Sequence, residues 1–427
     1  MPTTTTDRST PPPIHPVPPM KLPRPRVVTL SNGIPVYLTV GGTQEVLKME
    51  VEFRAGRPYE TARQTSRSVE ALLRDGTRRR SGADIAETLD FYGGTFSTPS
   101  SLDNSRFALF TLSKHFGKLL PLVAEMVIEP TFPQKELNNY IERGIQRLKV
   151  DAERADIVAY REITARLFGA DHPYGYNSSE TTYRAQRRAA LLDHHDHHFT
   201  AENCAIYLSG RPGADALELL DRYLGHGLPH GIRSVPDLPP VSTPAAGRLH
   251  LDHADEHQSA IRVARRLFHH TAPEYHEFLV LNGVLGGYFG SRLMSNLRED
   301  KGMTYGISSS LDTLHHDGFF LIGAEVGKEH RERAVEEIFH EMRLLGEELV
   351  PEEELDMVRN YLLGTLLNVL DGPLNTGSVV RSYIAREQPL DAFERMDRTI
   401  RTVTPERLRE LAQKYLRPSD MWVLTVG

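Results

Sequence analysis

Residues 286–308 read GGYFGSRLMSNLREDKGMTYGIS, and this stretch does most to identify the fold. Three glycines open it as a loop, the residues up to Asp300 predict a short helix ending in basic and acidic side chains, and Gly302 breaks that helix. A strand is expected to begin near Tyr305. The stretch therefore predicts a loop, a helix and a strand in succession, with Arg298 near the helix end and Tyr305 near the strand start.

Composition limits the classes of protein that this chain can be. Its 427 residues, 39% of them hydrophobic, can fill two or more domain cores. The formal charge of -7 disfavours a nucleic-acid-binding protein. The only cysteine, Cys204, excludes an internal disulfide framework. Because no apolar run could cross a membrane and no signal peptide is visible, we expect a cytoplasmic protein without membrane contact.

The order of predicted elements repeats once along the chain. Residues 107–112 predict a strand, residues 116–128 an amphipathic helix, and Pro133 opens a further helix. Residues 319–326, 331–345 and the helix opened by Pro351 repeat this order. Two copies of one α+β unit are therefore expected, each a mainly antiparallel sheet packed with helices.

Proline content marks the boundaries of these units. Residues 1–25 are rich in proline and threonine and predict a flexible arm. Residues 228–246 contain five prolines and predict a linker. The chain is therefore divided into an arm (1–25), an N-terminal domain (26–227), a linker (228–246) and a C-terminal domain (247–427).

The 286–308 stretch closely resembles the C-terminal-half motif of the insulinase/pitrilysin family of zinc peptidases, in the subfamily of the mitochondrial processing peptidase subunits. Residues 30–36, 129–133 and 172–175 also match this family. Residues 92–97 resemble its edge strand and loop that hold the peptide substrate, which gives Gly93, Gly94, Thr95, Phe96 and Ser97 a peptide-binding role. The resemblance implies two sheet-and-helix domains facing each other across a cavity that encloses an unfolded peptide.

The chemistry of this family rests on H-x-x-E-H, in which two histidines on one helical face bind Zn²⁺ and the glutamate activates water. The matching frame here reads Arg67-Ser68-Val69-Glu70-Ala71, so both histidines are missing. Alanine has no lone pair to offer, and arginine places a positive charge where a dication would bind. The helix of the third ligand carries Gln146 and Arg147, with Glu142 one turn early. No zinc is therefore expected in this chain.

Two other histidine groups deserve comparison with a metal site. A literal H-x-x-E-H occurs at His253-Ala254-Asp255-Glu256-His257, but its flanks predict strands, so a surface connection is the favoured interpretation. His194-His195-Asp196-His197-His198 ends a predicted helix, where His194 and His198 could share a face. A surface cluster that binds metal adventitiously stays open for both groups.

Arg298 and Tyr305 match the arginine and tyrosine that family members bring to the zinc site, where they hold the substrate carbonyl and stabilise the oxyanion. Without the resemblance, a helix-terminal charge and a half-buried strand tyrosine would be the favoured explanation of the two residues. With it, we expect a non-catalytic subunit of a heterodimeric zinc endopeptidase. Arg298 and Tyr305 would act in trans on a homologous partner that carries H-x-x-E-H and the zinc.

Two alternatives belong to other classes of protein. The chain could be a scaffold or peptide-binding pseudo-peptidase without a proteolytic role, and then no zinc-bearing partner would exist. It could also be a self-sufficient metallopeptidase with an atypical metal site. Zinc content and peptidase activity of the isolated chain separate this last case from the others.

Overall fold

A computed structural model of the chain describes residues 15–99, 101–236, 238–253 and 258–427. The strands of the first half are β1 (Arg26–Thr29), β2 (Pro35–Val40), β3 (Val46–Phe53), β4 (Thr95–Ser97), β5 (Ser105–Leu112) and β6 (Cys204–Gly210). Its helices are α1 (Thr65–Leu72), α2 (Gly82–Phe91), α3 (Phe116–Ile128), α4 (Gln134–Ala152), α5 (Ala155–Phe168), α6 (Glu180–Arg184), α7 (Arg188–His198) and α8 (Ala216–Leu220), the last followed by a π-helical turn, Asp221–Gly225.

The second half repeats this mixture of elements. Its strands are β7 (Gly247–Leu251), β8 (Gln258–Leu267), β9 (Thr304–Thr313), β10 (Gly318–Gly327) and β11 (Trp422–Val426). Its helices are α9 (Tyr275–Leu285), a π-helical segment Met294–Asp300, α10 (Arg331–Glu347), α11 (Glu352–Val369), α12 (Gly372–Ala385), α13 (Ala392–Thr402) and α14 (Pro405–Tyr415). Short 3₁₀ turns cover Arg57–Tyr59, Ser113–His115, Ala201–Asn203, Lys328–His330 and Pro418–Asp420.

The two sheets have matching topologies, which confirms the predicted α+β repeat. The first has the order β1-β2-β6-β3-β5-β4 and the second β7-β11-β8-β10-β9. In each sheet one pair is parallel, β2 with β6 and β7 with β11, and the other pairs are antiparallel. The strand, helix, helix series predicted from sequence is β5-α3-α4 in one half and β10-α10-α11 in the other.

Alternation along the strands separates two faces of each sheet. In β5, Phe107 and Leu109 point into the core of the first half, together with Phe96 of β4 and Phe53 of β3. The ring of Phe107 lies 6.1 Å from that of Phe96 and 6.3 Å from that of Phe53. The opposite face carries polar residues, among them Glu52 of β3. The core face packs against helices of the same half. The polar face must therefore be covered by another part of the chain.

In each half, one face of the sheet is covered by a helix that belongs to the other half. Helix α5 of the first half packs Ala159 and Ile163 against Ala260 and Leu424 of the second sheet. Helix α12 of the second half crosses β6 so closely that a Cβ on Gly377 would lie 1.8 Å from Ser209 Oγ. The halves defined by sequence, 26–227 and 247–427, therefore exchange helices.

Residues 17–24 differ from the expected flexible arm. Met20 and Leu22 are buried in the core of the second half, with relative exposures of 7% and 2%. The guanidinium of Arg401 donates hydrogen bonds to the carbonyls of Val17 and Pro18 at 2.9 and 3.0 Å. An extended, proline-rich segment forms no element of its own, but apolar side chains and carbonyls still fix it onto α13.

The linker is likewise attached to its surroundings. Thr243 Oγ1 donates to the carbonyl of Leu167, and Trp422 Nε1 donates to the carbonyl of Pro244, both at 2.9 Å. Described residues between 228 and 246 form neither helix nor strand, as the prolines predict. The linker therefore follows a fixed path over both halves.

Cavities lie between the halves, but each is small. One of about 420 Å³ is lined by the first sheet, by the end of α12 and by His315, and one of about 350 Å³ is lined by residues of both sheets and of α12. Such volumes suit small-molecule pockets. The two halves therefore face each other with cavities between them.

Candidate active-site half

Helix α1 carries the frame that would hold zinc. Its first turn is capped by Glu60, whose carboxylate accepts hydrogen bonds from the backbone nitrogens of Gln64 (3.0 Å) and Ser66 (2.9 Å). Arg67 is exposed, Ala71 is half-buried and Glu70 is 8% exposed. Burial raises the pKa of Glu70 to about 7, against the opposing effects of Ser105 and Arg67. Glu70 is thus a desolvated carboxyl that holds its proton to a higher pH than usual.

The residues at this frame do not fit a zinc ion. In the described ranges, no three His, Cys, Asp or Glu side chains are grouped so that they could hold a metal. On α4, Glu142 is exposed and lies 3.7 Å from Arg184. Gly144 faces the ring of Tyr183, which a Cβ would approach to 2.2 Å. The Tyr183 ring therefore packs on the face of α4 that lies beside the position of the expected third ligand.

Two histidines at the end of α7, His194 and His195, are buried while His197 is exposed, which corrects the prediction of a surface cluster. His194 Nε2 donates to the carbonyl of Ala55 at 2.9 Å, and His195 Nε2 donates to that of Val127 at 2.8 Å. Burial lowers the pKa of His194 to about 3. His198 Nδ1 lies 2.7 Å from Ser234 Oγ. The imidazoles of His194 and His195 thus satisfy backbone carbonyls inside the first half and do not face the surface.

The literal H-x-x-E-H at residues 253–257 falls mostly outside the described residues, since 254–257 are not among them. His253 follows β7, and its Nε2 donates a hydrogen bond to the carbonyl of Ala152 at 3.0 Å. His253 is thus not part of a helix, and it lies at the end of the strand that the sequence predicted there.

The predicted peptide-binding segment forms an edge of the first sheet. Strand β4 is three residues long and pairs only with β5 among the described strands. Thr95 and Ser97 are exposed, whereas Phe96 is buried. Gly93 has φ +61°, and a Cβ on Gly94 would lie 2.5 Å from Leu119 Cδ1, so glycine is required at both positions. One side of β4 is consequently free to pair with an extended chain.

Arg298 lies near the end of the π-helical segment Met294–Asp300, and Tyr305 lies on β9, the edge strand of the second sheet. The turn between them is fixed by backbone bonds from Gly302 N to Arg298 O (3.2 Å) and from Met303 N to Leu297 O (2.9 Å). Gly302 has φ +61°, as a helix-ending glycine does. Strand β9 then begins at Thr304 and pairs with β10 as the edge of its sheet.

Tyr305 is exposed because β9 bulges at this point. The register passes from Ile307 opposite Ala324 to Thr304 opposite Val326, so Tyr305 and Gly306 share one partner residue. The hydroxyl of Thr304 lies 2.6 Å from the carbonyl of Glu325 and accepts a hydrogen bond from Gly306 N at 3.1 Å. Bulges turn side chains away from the regular alternation. Tyr305 is accordingly 90% exposed.

Arg298 is held beside an aromatic ring. Its guanidinium carbon lies 4.7 Å from the centroid of Phe289, which is 61% exposed. Within the described part of the chain, neither the Arg298 guanidinium nor the Tyr305 hydroxyl has a hydrogen-bond or ion-pair partner. A half-buried cation and an exposed phenol thus lie on successive elements of the chain, and their donors are free of other described side chains.

Ion pairs fix the segment that carries this pair to the helices behind it. Arg292 forms two bonds of 2.8 Å with the carboxylate of Glu354, and Lys301 Nζ lies 2.6 Å from Glu337. The ring of Tyr288 stacks on Tyr361 at 4.8 Å. Sequence analysis did not identify Phe289 or Thr304 as parts of the site. A glycine inside the predicted strand, Gly306, was the available signal for the bulge.

Comparison with known proteins agrees with this architecture. The family model described as "Insulinase (Peptidase family M16)" matches residues 43–170, and the one described as "Peptidase M16 inactive domain" matches residues 187–362. An uncharacterised zinc protease of Bacillus subtilis, YmxG, is 22% identical over 393 residues, covering 90% of this chain and 94% of the relative.

Solved structures share the fold. The peptidase M16 inactive domain from Pseudomonas fluorescens superposes with a TM-score of 0.86 at 23% identity, covering 94% of this chain and 97% of the other. A chain of complex III2 from Candida albicans superposes with a TM-score of 0.75 at 14% identity, covering 94% and 95%. Across the described residues, no helix combines the length and apolarity needed to cross a membrane.

Proposed function

Because the chain belongs to the insulinase/pitrilysin (M16) family of peptidases, we propose that it is the non-catalytic subunit of a heterodimeric zinc endopeptidase. One observation carries this proposal: Tyr305 is exposed and Arg298 half-buried, neither side chain has a hydrogen-bond or ion-pair partner among the described residues, and the described frame at Arg67, Glu70 and Ala71 has no ligand set. An active-site half without a metal is useful when another chain supplies the metal. The partner is a homologue with an intact H-x-x-E-H, whose zinc supplies the water-activating chemistry.

The chemistry of the two residues fits the carbonyl oxygen of a scissile peptide bond. A guanidinium keeps its charge at any working pH and presents several donors in a fixed plane, and a phenol adds one more donor. Both interactions strengthen when the oxygen becomes an oxyanion, so they favour the transition state over the bound substrate. The stacking of Arg298 on Phe289 at 4.7 Å orients the guanidinium before substrate arrives.

The free edge of β4 supports a role in holding the substrate. An extended peptide can add a strand to an exposed sheet edge through main-chain hydrogen bonds, with side chains selected by the flanking residues. Gly93 to Ser97 present such an edge, with Thr95 and Ser97 exposed. The substrate is therefore an unfolded peptide enclosed between this subunit and its partner.

The direct test is reconstitution with a homologue that carries H-x-x-E-H. We expect the two chains to copurify, the pair to contain one zinc and hydrolyse an unfolded peptide, and each chain alone to be inactive. Stoichiometric zinc and activity in this chain alone would instead establish the self-sufficient metallopeptidase.

A scaffold role is the second candidate, favoured by the shared fold of the complex III2 chain. It predicts that this chain assembles with other proteins but leaves their peptide hydrolysis unchanged. Measuring turnover of the zinc-bearing homologue with and without this chain separates the two: an increase supports the peptidase subunit, and no change on proven association supports the scaffold.

A further inference from the structure

The smaller cavity between the two halves, of about 350 Å³, is rich in arginine. Arg106 reaches it from β5 of the first half, and Arg381 and Arg386 reach it from α12 and the residue after it. Glu52 and Asp103 are the acidic residues among its lining. The cavity is therefore built from both halves and carries more positive than negative groups.

Both acidic groups are already occupied by other partners. The carboxylate of Glu52 accepts a hydrogen bond from Asn104 Nδ2 at 2.6 Å and pairs with Arg381 at 3.3 Å. The carboxylate of Asp103 accepts from the Tyr174 hydroxyl and from the backbone nitrogen of His315. Little of their charge remains to neutralise the other two arginines.

Arg106 is the informative residue. It lies directly opposite Glu52 in the β3-β5 register, yet in the described part of the chain its guanidinium has no hydrogen bond or ion pair. Its Nε is buried and unpartnered. Burial and the nearby charge of Arg381 lower the pKa of Arg106 against the opposing effects of Glu52, Glu50 and Glu70, none of which forms an ion pair with it, and the arginine stays charged.

Arg386 has the same property on the other side of the cavity. No hydrogen bond or ion pair joins its guanidinium to another described side chain, although its backbone carbonyl accepts from His270 Nε2 at 3.1 Å. An unpaired charge in a partly desolvated cavity is costly, and an anion that binds there removes the cost for two arginines at once.

We propose that this cavity binds a small oxyanion ligand, a carboxylate or a phosphate, between Arg106 and Arg386. Guanidinium groups match the planar geometry of both anions, and 350 Å³ accommodates a small molecule. The ligand connects β5 of the first half with the end of α12 of the second. This site is separate from Arg298 and Tyr305 and does not depend on the proposed peptidase role.

The oxyanion can come from a free metabolite or from an acidic peptide side chain. Titration calorimetry of the full chain with inorganic phosphate, with citrate and with a capped triglutamate peptide, at constant ionic strength, distinguishes these sources. We expect saturable binding of at least one probe and a rise in the unfolding temperature that follows its concentration. Binding of the peptide alone identifies a peptide side-chain site, and binding of phosphate or citrate alone a metabolite site.

Variants connect the binding to the two arginines. Arg106→Met and Arg386→Met should each weaken binding of the responding probe at least tenfold, whereas Arg147→Met, which removes an exposed arginine of α4, should not. Arg106→Lys keeps the charge and serves if the methionine variant does not fold. Absence of binding by all three probes, or equal binding by wild type and both methionine variants, would overturn the proposal.

Discussion

Arg381 of helix α12 forms ion pairs with Glu52 at 3.3 Å and with Glu50 at 3.2 Å, and so joins the second half of the chain to the sheet of the first. The side chains of both glutamates are less than one-tenth exposed. Burial raises the pKa of Glu52, although Arg381 and Arg106 act to lower it. Both glutamates on the polar face of β3 therefore form ion pairs with the same arginine of the exchanged helix.

Replacing Arg381 by Met should lower the free energy of unfolding by about 3 to 5 kcal/mol, because the buried Glu52 loses its ion-pair partner and Glu50 keeps only Lys48, at 2.9 Å. Denaturant titration measures this loss. The combined variant with Glu50→Gln and Glu52→Gln should recover part of it. Arg166→Met, which removes an exposed ion pair with Glu162, is the control and should change stability little. A loss no larger than in this control would contradict the buried pairing.

Stability should depend on pH through Glu70. Its pKa in the folded chain is about 7, above its ordinary value of 4.5, so folding favours the protonated form. The contribution of this group is fully present below about pH 4.5 and is lost as the pH rises through 7. At pH 8 Glu70→Gln should be more stable than wild type by about 3 kcal/mol, and near pH 4.5 the two should be equal.

Denaturant titrations of both proteins between pH 4.5 and 8 follow this difference. Glu347→Gln, an exposed substitution on α10, should stay parallel to wild type over the whole range. If the difference between wild type and Glu70→Gln were independent of pH, the carboxyl of Glu70 would not be the titrating group.

Two helical glycines should respond to alanine with opposite signs. On α4, a Cβ at Gly144 would lie 2.2 Å from the Tyr183 ring, and Gly144→Ala should cost about 1 to 3 kcal/mol. On α11, a Cβ at Gly364 meets nothing within 4 Å, and Gly364→Ala should gain about 0.5 to 1 kcal/mol. Thermal unfolding compares them. Equal effects would show that Tyr183 does not pack on α4 as described.

Arg298→Ala should lower kcat of the reconstituted peptidase about 10² to 10³-fold, since one stabilising group of the oxyanion is removed. Tyr305→Phe should act in the same direction because only the hydroxyl is lost. Steady-state kinetics of the assembled pair provide the measurement, and Arg147→Ala is the control. Wild-type turnover in both variants, with assembly intact, would exclude this role for the pair.

Thr304 should act as a positioning residue for Tyr305. Thr304→Val removes the hydroxyl that bridges Glu325 and Gly306 across the bulge, and should lower kcat of the pair about 10 to 100-fold through misplacement of the phenol. Thr304→Ser keeps the hydroxyl and should restore turnover. A serine variant as impaired as the valine variant would point to the lost methyl group instead.

The sequence predicted individual helices and strands better than the tertiary contacts between them. The order β5-α3-α4 and its repeat follow from hydrophobic periodicity and the prolines that open helices, which are local signals. Periodicity shows that α5 and α12 have apolar faces but cannot show which sheet covers each one. His194 and His195 illustrate the same limit. The sequence of this histidine-rich segment does not indicate that two buried backbone carbonyls will accept hydrogen bonds from its imidazoles.

At the candidate site, Arg298 and Tyr305 could be chosen from sequence only through their resemblance to a family motif. The exposure of Tyr305 is a tertiary property, since it depends on the bulge in β9 and on the position of that strand at the sheet edge. The ring of Phe289 beside Arg298 results from the path of the glycine-rich loop. Seven residues of separation alone would not have placed the two groups on one edge.

The exchange of α5 and α12 has a consequence for how this polypeptide can be divided. A gene split within residues 228–246 would yield two fragments, each lacking the helix that covers one face of its sheet and each carrying a spare apolar helix. Neither fragment should fold stably when produced alone, because each lacks a helix that the other carries. Producing both fragments together should therefore restore the native fold. The smallest unit that can adopt this fold is therefore both halves of the chain together.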